Sequence, residues 1–277
     1  MTQYLNQRSI HRLLLAAGLA AAALSACSRK PEPDSAAVAQ PTLDALIAAA
    51  PRFKVPVSAT QPSLGDSDAL VTVVEWGDFR SSGSRTAAEA LKTAMQKYGK
   101  DLRIVHRILP NEQDPESLAT NEFARAAFET GKKFWEARER LLAVPSGTRV
   151  EMANLEAISK ELGLDWNRIV AGMKSKAFAF YIVSDMQFAK IYGVTKLPTL
   201  FVNGTRIPDV AEAQLATTID AFVAHELANA RTVAASGVAR TEVYDTIVAA
   251  GKWSLTDDPT KRQSAQSAPQ AAPTKAM

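Results

Sequence analysis

Asp78-Phe79-Arg80-Ser81-Ser82-Gly83-Ser84 places Ser81 and Ser84 three residues apart, where an apolar, β-branched run from Leu70 to Trp76 gives way to a helical pattern. The start of a helix offers free backbone amides and the positive end of the macrodipole, a setting that favours negative charge. A thiol placed there ionises and attacks disulfides, whereas a serine hydroxyl does not ionise usefully and cannot form a mixed disulfide. Ser81 and Ser84 therefore carry no redox reaction. What Ser81 can supply is an N-cap, accepting from the amide near Gly83 or Ser84, a bond worth about 1 kcal/mol. The single cysteine, Cys27, lies far upstream, so the chain alone cannot run dithiol chemistry.

Other reactive side chains are sparse. Glu75 sits in the strand before the turn, either as a partly buried carboxyl with a raised pKa or as the partner of a nearby lysine. The three histidines are scattered at positions 11, 106 and 225. His106 shares a strand face with Leu102, Ile104 and Ile108, which makes it a core residue before a catalytic base. Ser82-Gly83-Ser84 lacks the Gly-x-Ser-x-Gly nucleophile elbow. No phosphate loop and no Cys/His cluster with metal-ligand spacing appears. No catalytic residue, metal or cofactor is assigned.

The elements that must position these residues follow from periodicity. Leu70 to Trp76 reads as a strand, with a helix after it placing Ala87, Ala88, Leu91, Ala94, Met95 and Tyr98 on one face. Gly99 closes that helix and Leu102 to Leu109 returns as a strand, which completes a β-α-β crossover. From Glu116 to Gly193 the pattern is helical, with room for four or five helices. Thr199 to Val202 and Thr205 to Ile207 flank Asn203-Gly204, a strong hairpin signal. Helices over Ala211 to Ala235 and Arg240 to Ala250 complete an α/β chain with a helical insertion.

The amino terminus carries targeting signals. Arg8 and Arg12 precede an apolar run from Leu13 to Leu24, too short to span a bilayer, with small residues before Cys27. Residues 1–26 read as a signal peptide. Leu24-Ser25-Ala26-Cys27 resembles the lipobox of bacterial lipoproteins, which implies acylation of Cys27 and a durable membrane anchor. Ser28 after the cysteine implies the outer membrane before the inner, facing the periplasm. Residues 27–60 are assigned as acylated cysteine and flexible tether, of which Ser28 to Pro41 is rich in Pro, Ala, Ser and charge. Its roughly 14 residues span on average about 20 Å. The tail from Ser254 to Met277 is similarly low in complexity. From Cys27 onward, 30 basic residues face 29 acidic ones, which gives no reason to invoke nucleic acid.

The stretch Val73-Val74-Glu75-Trp76-Gly77-Asp78-Phe79, followed by Arg80 to Arg85, resembles the DsbA-like thioredoxin family, with serine at both positions of its Cys-x-x-Cys. Lys133-Phe134-Trp135, Leu162-Gly163-Leu164-Asp165 and Gly193-Val194-Thr195-Lys196-Leu197-Pro198-Thr199 to Gly204 resemble further landmarks. The resemblance implies a thioredoxin-like fold over about 61–230, a helical insert at about 115–193, and a C-terminal helical extension over 231–253. It also implies a cis bond before Pro198, and that Glu75 stands where the family keeps an acid that tunes its cysteines.

In that family the loop before the cis-proline pairs by backbone with extended substrate, which needs no cysteine. Leu197, Pro198 and Trp76 are accordingly the expected peptide-binding residues, and extended segments of envelope proteins the expected partners. Phe134 and Trp135 are expected in the core of the insert. One alternative is a glutathione-dependent transferase or isomerase of the kappa type, which shares the architecture and would use Ser81 to hold a thiolate. Another is a purely structural lipoprotein.

Overall fold

The computed structural model describes residues 41–145 and 147–257. The expected signal peptide, Cys27, the tether up to residue 40 and the tail from residue 258 lie outside the described residues. Within them the elements run α1 (Leu43–Ala49), β1 (Ser63–Leu64), β2 (Val71–Gly77), α2 (Ser82–Tyr98), β3 (Leu102–Ile108), α3 (Pro115–Gly131), α4 (Phe134–Ala143), α5 (Met152–Glu161), α6 (Trp166–Lys174), α7 (Ala179–Ile191), β4 (Thr199–Val202), β5 (Thr205–Arg206), α8 (Glu212–Ala235) and α9 (Arg240–Val248).

One sheet of order β1-β3-β2-β4-β5 carries the site. β2 and β3 are parallel, as a crossover through α2 demands, and β1, β4 and β5 join antiparallel. Every residue of β2 is buried, and its side chains alternate between two cores. Val71 and Val73 meet α2, α8 and α9, while Val74 and Trp76 meet the segment around Phe53, Tyr192 and Phe201. A third core, built on Phe123, Phe134, Leu155 and Ile169, lies inside the insertion formed by α3 to α7. Asp220 in α8 bonds Lys97 at 2.6 Å and the Tyr98 hydroxyl at 2.8 Å, which ties the end of α2 to α8.

Three sequence expectations need correction. Residues 41–60 were assigned to the tether, yet they contain α1 and a strap from Pro51 to Val55. The Phe53 amide donates to the Gly204 carbonyl at 2.7 Å, the Lys54 amide to the Lys252 carbonyl at 2.8 Å, and the Lys252 amide to the Arg52 carbonyl at 2.9 Å. Phe53 and Val55 are buried. Gly204, at φ +79° in the hairpin turn, admits the strap because a Cβ there would stand 2.3 Å from the Phe53 carbonyl oxygen. The strap escapes a compositional reading because its apolar residues are few and contact the far end of the chain.

Trp76 is fully buried, donating its indole N–H to the Asp185 carbonyl at 3.0 Å and packing edge-on against Tyr192 and Phe201. Strand alternation turns it under α7, so it offers no peptide surface. Finally, the tail was placed from Ser254 onward, but the Leu255 amide donates to the Ile191 carbonyl at 3.0 Å.

Candidate functional site

The two hydroxyls sit where β2 hands over to α2. Ser81 is the N-cap of α2, its oxygen accepting from the Ser84 amide at 3.4 Å. Ser84 is buried in the first turn, and its oxygen accepts from the Asp78 amide at 3.1 Å. Both hydroxyls thus serve backbone amides. Asp78 fixes the turn: its carboxylate accepts from the Arg80 amide at 3.0 Å, Asn121 at 2.7 Å and the Ser117 hydroxyl at 2.8 Å, which binds the loop to α3. In the sequence Asp78 reads only as a break between strand and helix, because its side-chain partners Ser117 and Asn121 lie 39 and 43 residues away and carry no local signal. Arg80 reaches the Thr148 carbonyl at 2.8 Å and Glu116 at 3.2 Å, and Arg85 reaches the Val144 carbonyl at 2.8 Å.

Beneath this turn lies a buried charge cluster. Glu75 and His106 are register partners in β2 and β3, and Glu75 Oε2 meets His106 Nδ1 at 3.1 Å and accepts from Arg138 Nη2 of α4 at 2.8 Å. Burial alone would raise the Glu75 carboxyl, but the Arg138 and His106 charges and hydrogen bonds outweigh it and hold the pKa at about 2. The expected raised pKa, or a lysine partner, is therefore corrected: an arginine and a histidine hold a buried carboxylate. Phe79 stacks on the His106 ring at 5.5 Å, and Phe134 lies 5.1 Å from it. His106 Nε2 finds no partner among the described residues, and no hydrogen bond joins it to Ser84. Glu75 and His106 thus do not extend to a serine nucleophile. Among the described residues no group of His, Cys, Asp and Glu could hold a metal ion.

Facing the start of α2 is the loop before β4. The Leu197–Pro198 bond is cis, and both residues are half-buried. The loop presses on the helix at Gly83, where a Cβ would stand 2.7 Å from Pro198 Cδ and 2.8 Å from the Leu197 carbonyl oxygen. Beside it opens a cleft of about 150 Å³ lined by Gly83, Leu197, Pro198, Ile207, Val210 and Leu215 among others. Its rim is charged. Glu212 accepts from the Ser82 and Thr86 hydroxyls at 3.2 and 3.3 Å, and Lys196 pairs with Asp209 at 3.2 Å. The structure thus brings Ser81, Ser84, Leu197 and Pro198 to one place, sets Glu75 beneath them, and removes Trp76.

The sequence pattern of a thioredoxin family matches residues 57–221, more than half of the chain. The chain belongs to this thioredoxin family. Its fold is that of the DsbA-like thioredoxin proteins. Oxidised BdbD of Bacillus subtilis superposes with a TM-score of 0.57 at 21% identity, covering 65% of this chain and 98% of that one. A thioredoxin-like oxidoreductase of Silicibacter pomeroyi gives 0.51 at 24% identity, covering 59% and 92%. At such identities the likeness is one of fold.

The curated relatives are named differently. The Na(+)/H(+) antiporter NhaA 3 of Salinispora tropica is 34% identical over 166 residues, 59% of this chain and 25% of the antiporter. The antiporter NhaA of Herminiimonas arsenicoxydans is 29% identical over 155 residues, 56% of this chain and 24% of that protein. The chain spans about a quarter of the length of these relatives. No helix among the described residues is long and apolar enough to cross a membrane.

Proposed function

We propose that this thioredoxin-fold chain is a lipoprotein of the bacterial cell envelope, held through acylated Cys27 with its domain in the periplasm, most readily at the outer membrane. Its domain holds extended segments of other proteins along the Leu197–Pro198 loop, as a chaperone or adaptor, and performs no thiol–disulfide exchange. One observation carries the reading: the cis-proline loop stays packed on α2 at Gly83 while the two facing positions are the alcohols Ser81 and Ser84. Backbone pairing at that loop survives the loss of sulfur, whereas electron transfer does not. A benzophenone residue at Leu197 of the intact chain should capture discrete envelope polypeptides on illumination. Capture no greater than from Lys92, exposed on α2, would remove the binding role and leave a structural lipoprotein.

The antiporter relatives favour a second, narrower reading, in which the polypeptide met at this loop belongs to an integral transport protein. In those relatives the matched quarter is part of one long chain; here the domain would approach such a protein from its own anchor. Identifying the Leu197 adducts by mass decides between a transporter and soluble clients. The kappa-type glutathione reading draws less support, because Glu212, bonded to Ser82 and Thr86, already sets a carboxylate beside the first turn of α2, which disfavours a second anion there. Millimolar glutathione should leave the melting temperature unchanged.

A further inference from the structure

Helix α7 is apolar on more than its buried side. Ile182 and Ala189 face inward, yet Phe180 is 76% exposed, Val183 47% and Ile191 43%. Spacings of three and eleven residues put Phe180, Val183 and Ile191 on one face, together with Gln187. Leu255, 57% exposed, lies next to the end of this row, its amide bonded to the Ile191 carbonyl and its side chain beside Gly193. The row is roughly 16 Å long at 1.5 Å per residue. Isolated apolar residues on a surface need no explanation, but three large ones on one helix face, broken only by Gln187, do.

Charge says what covers it. From Trp166 to Lys196 the sequence holds Arg168, Lys174, Lys176, Lys190 and Lys196 against one acid, Asp185. Asp185 is buried and spent on Arg107 at 2.7 Å. Lys176 pairs with Glu122 and Lys196 with Asp209. Arg168, Lys174 and Lys190 are exposed and make no ion pair among the described residues, with Lys174 before one end of the apolar row and Lys190 at the other. A second copy of this face would bring like charges together. An acidic phospholipid surface answers both features, taking the apolar row at its acyl boundary and the lysines at its headgroups.

We infer that the outer face of α7, from Phe180 to Ile191 with Leu255, rests on an anionic phospholipid bilayer and orients the domain on it. This rests on the membrane-held reading for the nearness of the bilayer, which lets a weak contact form. The test uses the intact chain in protein-free vesicles of phosphatidylethanolamine and phosphatidylglycerol, with a nitroxide introduced by Val183→Cys or, on the remote α2 surface, by Glu89→Cys. Collision with a water-soluble nickel reagent should fall several-fold at position 183 and stay unchanged at 89. Lys174→Gln and Lys190→Gln should weaken the protection by roughly fivefold each, the attraction of one basic side chain to an anionic surface.

Full exposure of the label in these vesicles overturns the inference. So does equal protection when phosphatidylcholine replaces phosphatidylglycerol. A label exposed in vesicles but protected in native envelopes means that a protein covers this face, which also overturns it. The mass of the Cys27 peptide from the same sample reports the anchor separately. An acylated chain with an exposed label sinks α7 docking alone, and an unmodified chain that still binds through α7 sinks the anchor alone.

Discussion

The backbone of Leu197 and the first turn of α2 meet at Gly83 with no room for a side chain, the Leu197 carbonyl oxygen standing 2.8 Å from where a Cβ would be. Neither neighbour is a flexible side-chain end: one is backbone and the other the Pro198 ring. Gly83→Ala must push the loop away from α2, at about 1–3 kcal/mol of overpacking. Urea denaturation should show that loss, and a crosslinker at Leu197 should capture less in the variant. A variant as stable as the parent would mean that helix and loop do not set each other's position.

Glu75 is a stability element here. Its carboxyl is near 4.5 when unfolded and about 2 when folded. A depressed folded pKa contributes stability that is full above the unfolded value and is lost as pH falls through the folded one. The window is pH 4.5 down to about 2, and the size is of order 3 kcal/mol. Acid titration of the parent by circular dichroism should show this slope. Glu75→Gln should lack it and should cost roughly 3–5 kcal/mol at neutral pH, since Arg138 and His106 keep their burial without their anion. A Glu75→Gln chain with the parental acid slope would assign that slope to other carboxylates.

Much of the fold was legible because it rests on local signals. The β-branched run of β2, the alternation of β3 and Asn203-Gly204 at the hairpin each declare themselves within a few residues. The site was legible only in outline. Ser81 and Ser84 were located by their place at a helix start, but Arg138 lies 63 residues from the carboxylate it holds. Trp76 misled because an aromatic in a strand reads alike on either face; only the packing of Tyr192 and Phe201 against it shows the face to be closed.

Restoring sulfur tests whether the alcohols alone silence the site. Ser81 is half-buried and Ser84 is 3% exposed. In the full chain carrying Cys27→Ser, Ser81→Cys should give a thiol that iodoacetamide alkylates at neutral pH, with its pKa drawn below about 8.5 by the helix start. Ser84→Cys should react far more slowly. The double variant should lose two mass units reversibly in a glutathione redox buffer, as an internal disulfide requires. Two thiols that never pair would show that the site has lost the geometry as well as the chemistry.

The strap before β1 should prove as much a part of the fold as the strands. Phe53 is 1% exposed and packs edge-on against Tyr192 and Phe201, 5.8 and 5.7 Å between ring centres. Arg52 next to it reaches the buried Glu226 at 2.5 Å and the Thr205 hydroxyl at 3.0 Å. Phe53→Ala opens a cavity in a core that also holds Trp76, so the loss should be about 3–5 kcal/mol. Arg52→Ala strands a buried carboxylate and should cost a further few kcal/mol. Because both residues were first assigned to a flexible tether, thermal unfolding discriminates cleanly: a tether would leave the melting temperature of either variant unchanged, whereas a strap pinned between Gly204 and Lys252 should lower it by roughly 6 °C or more.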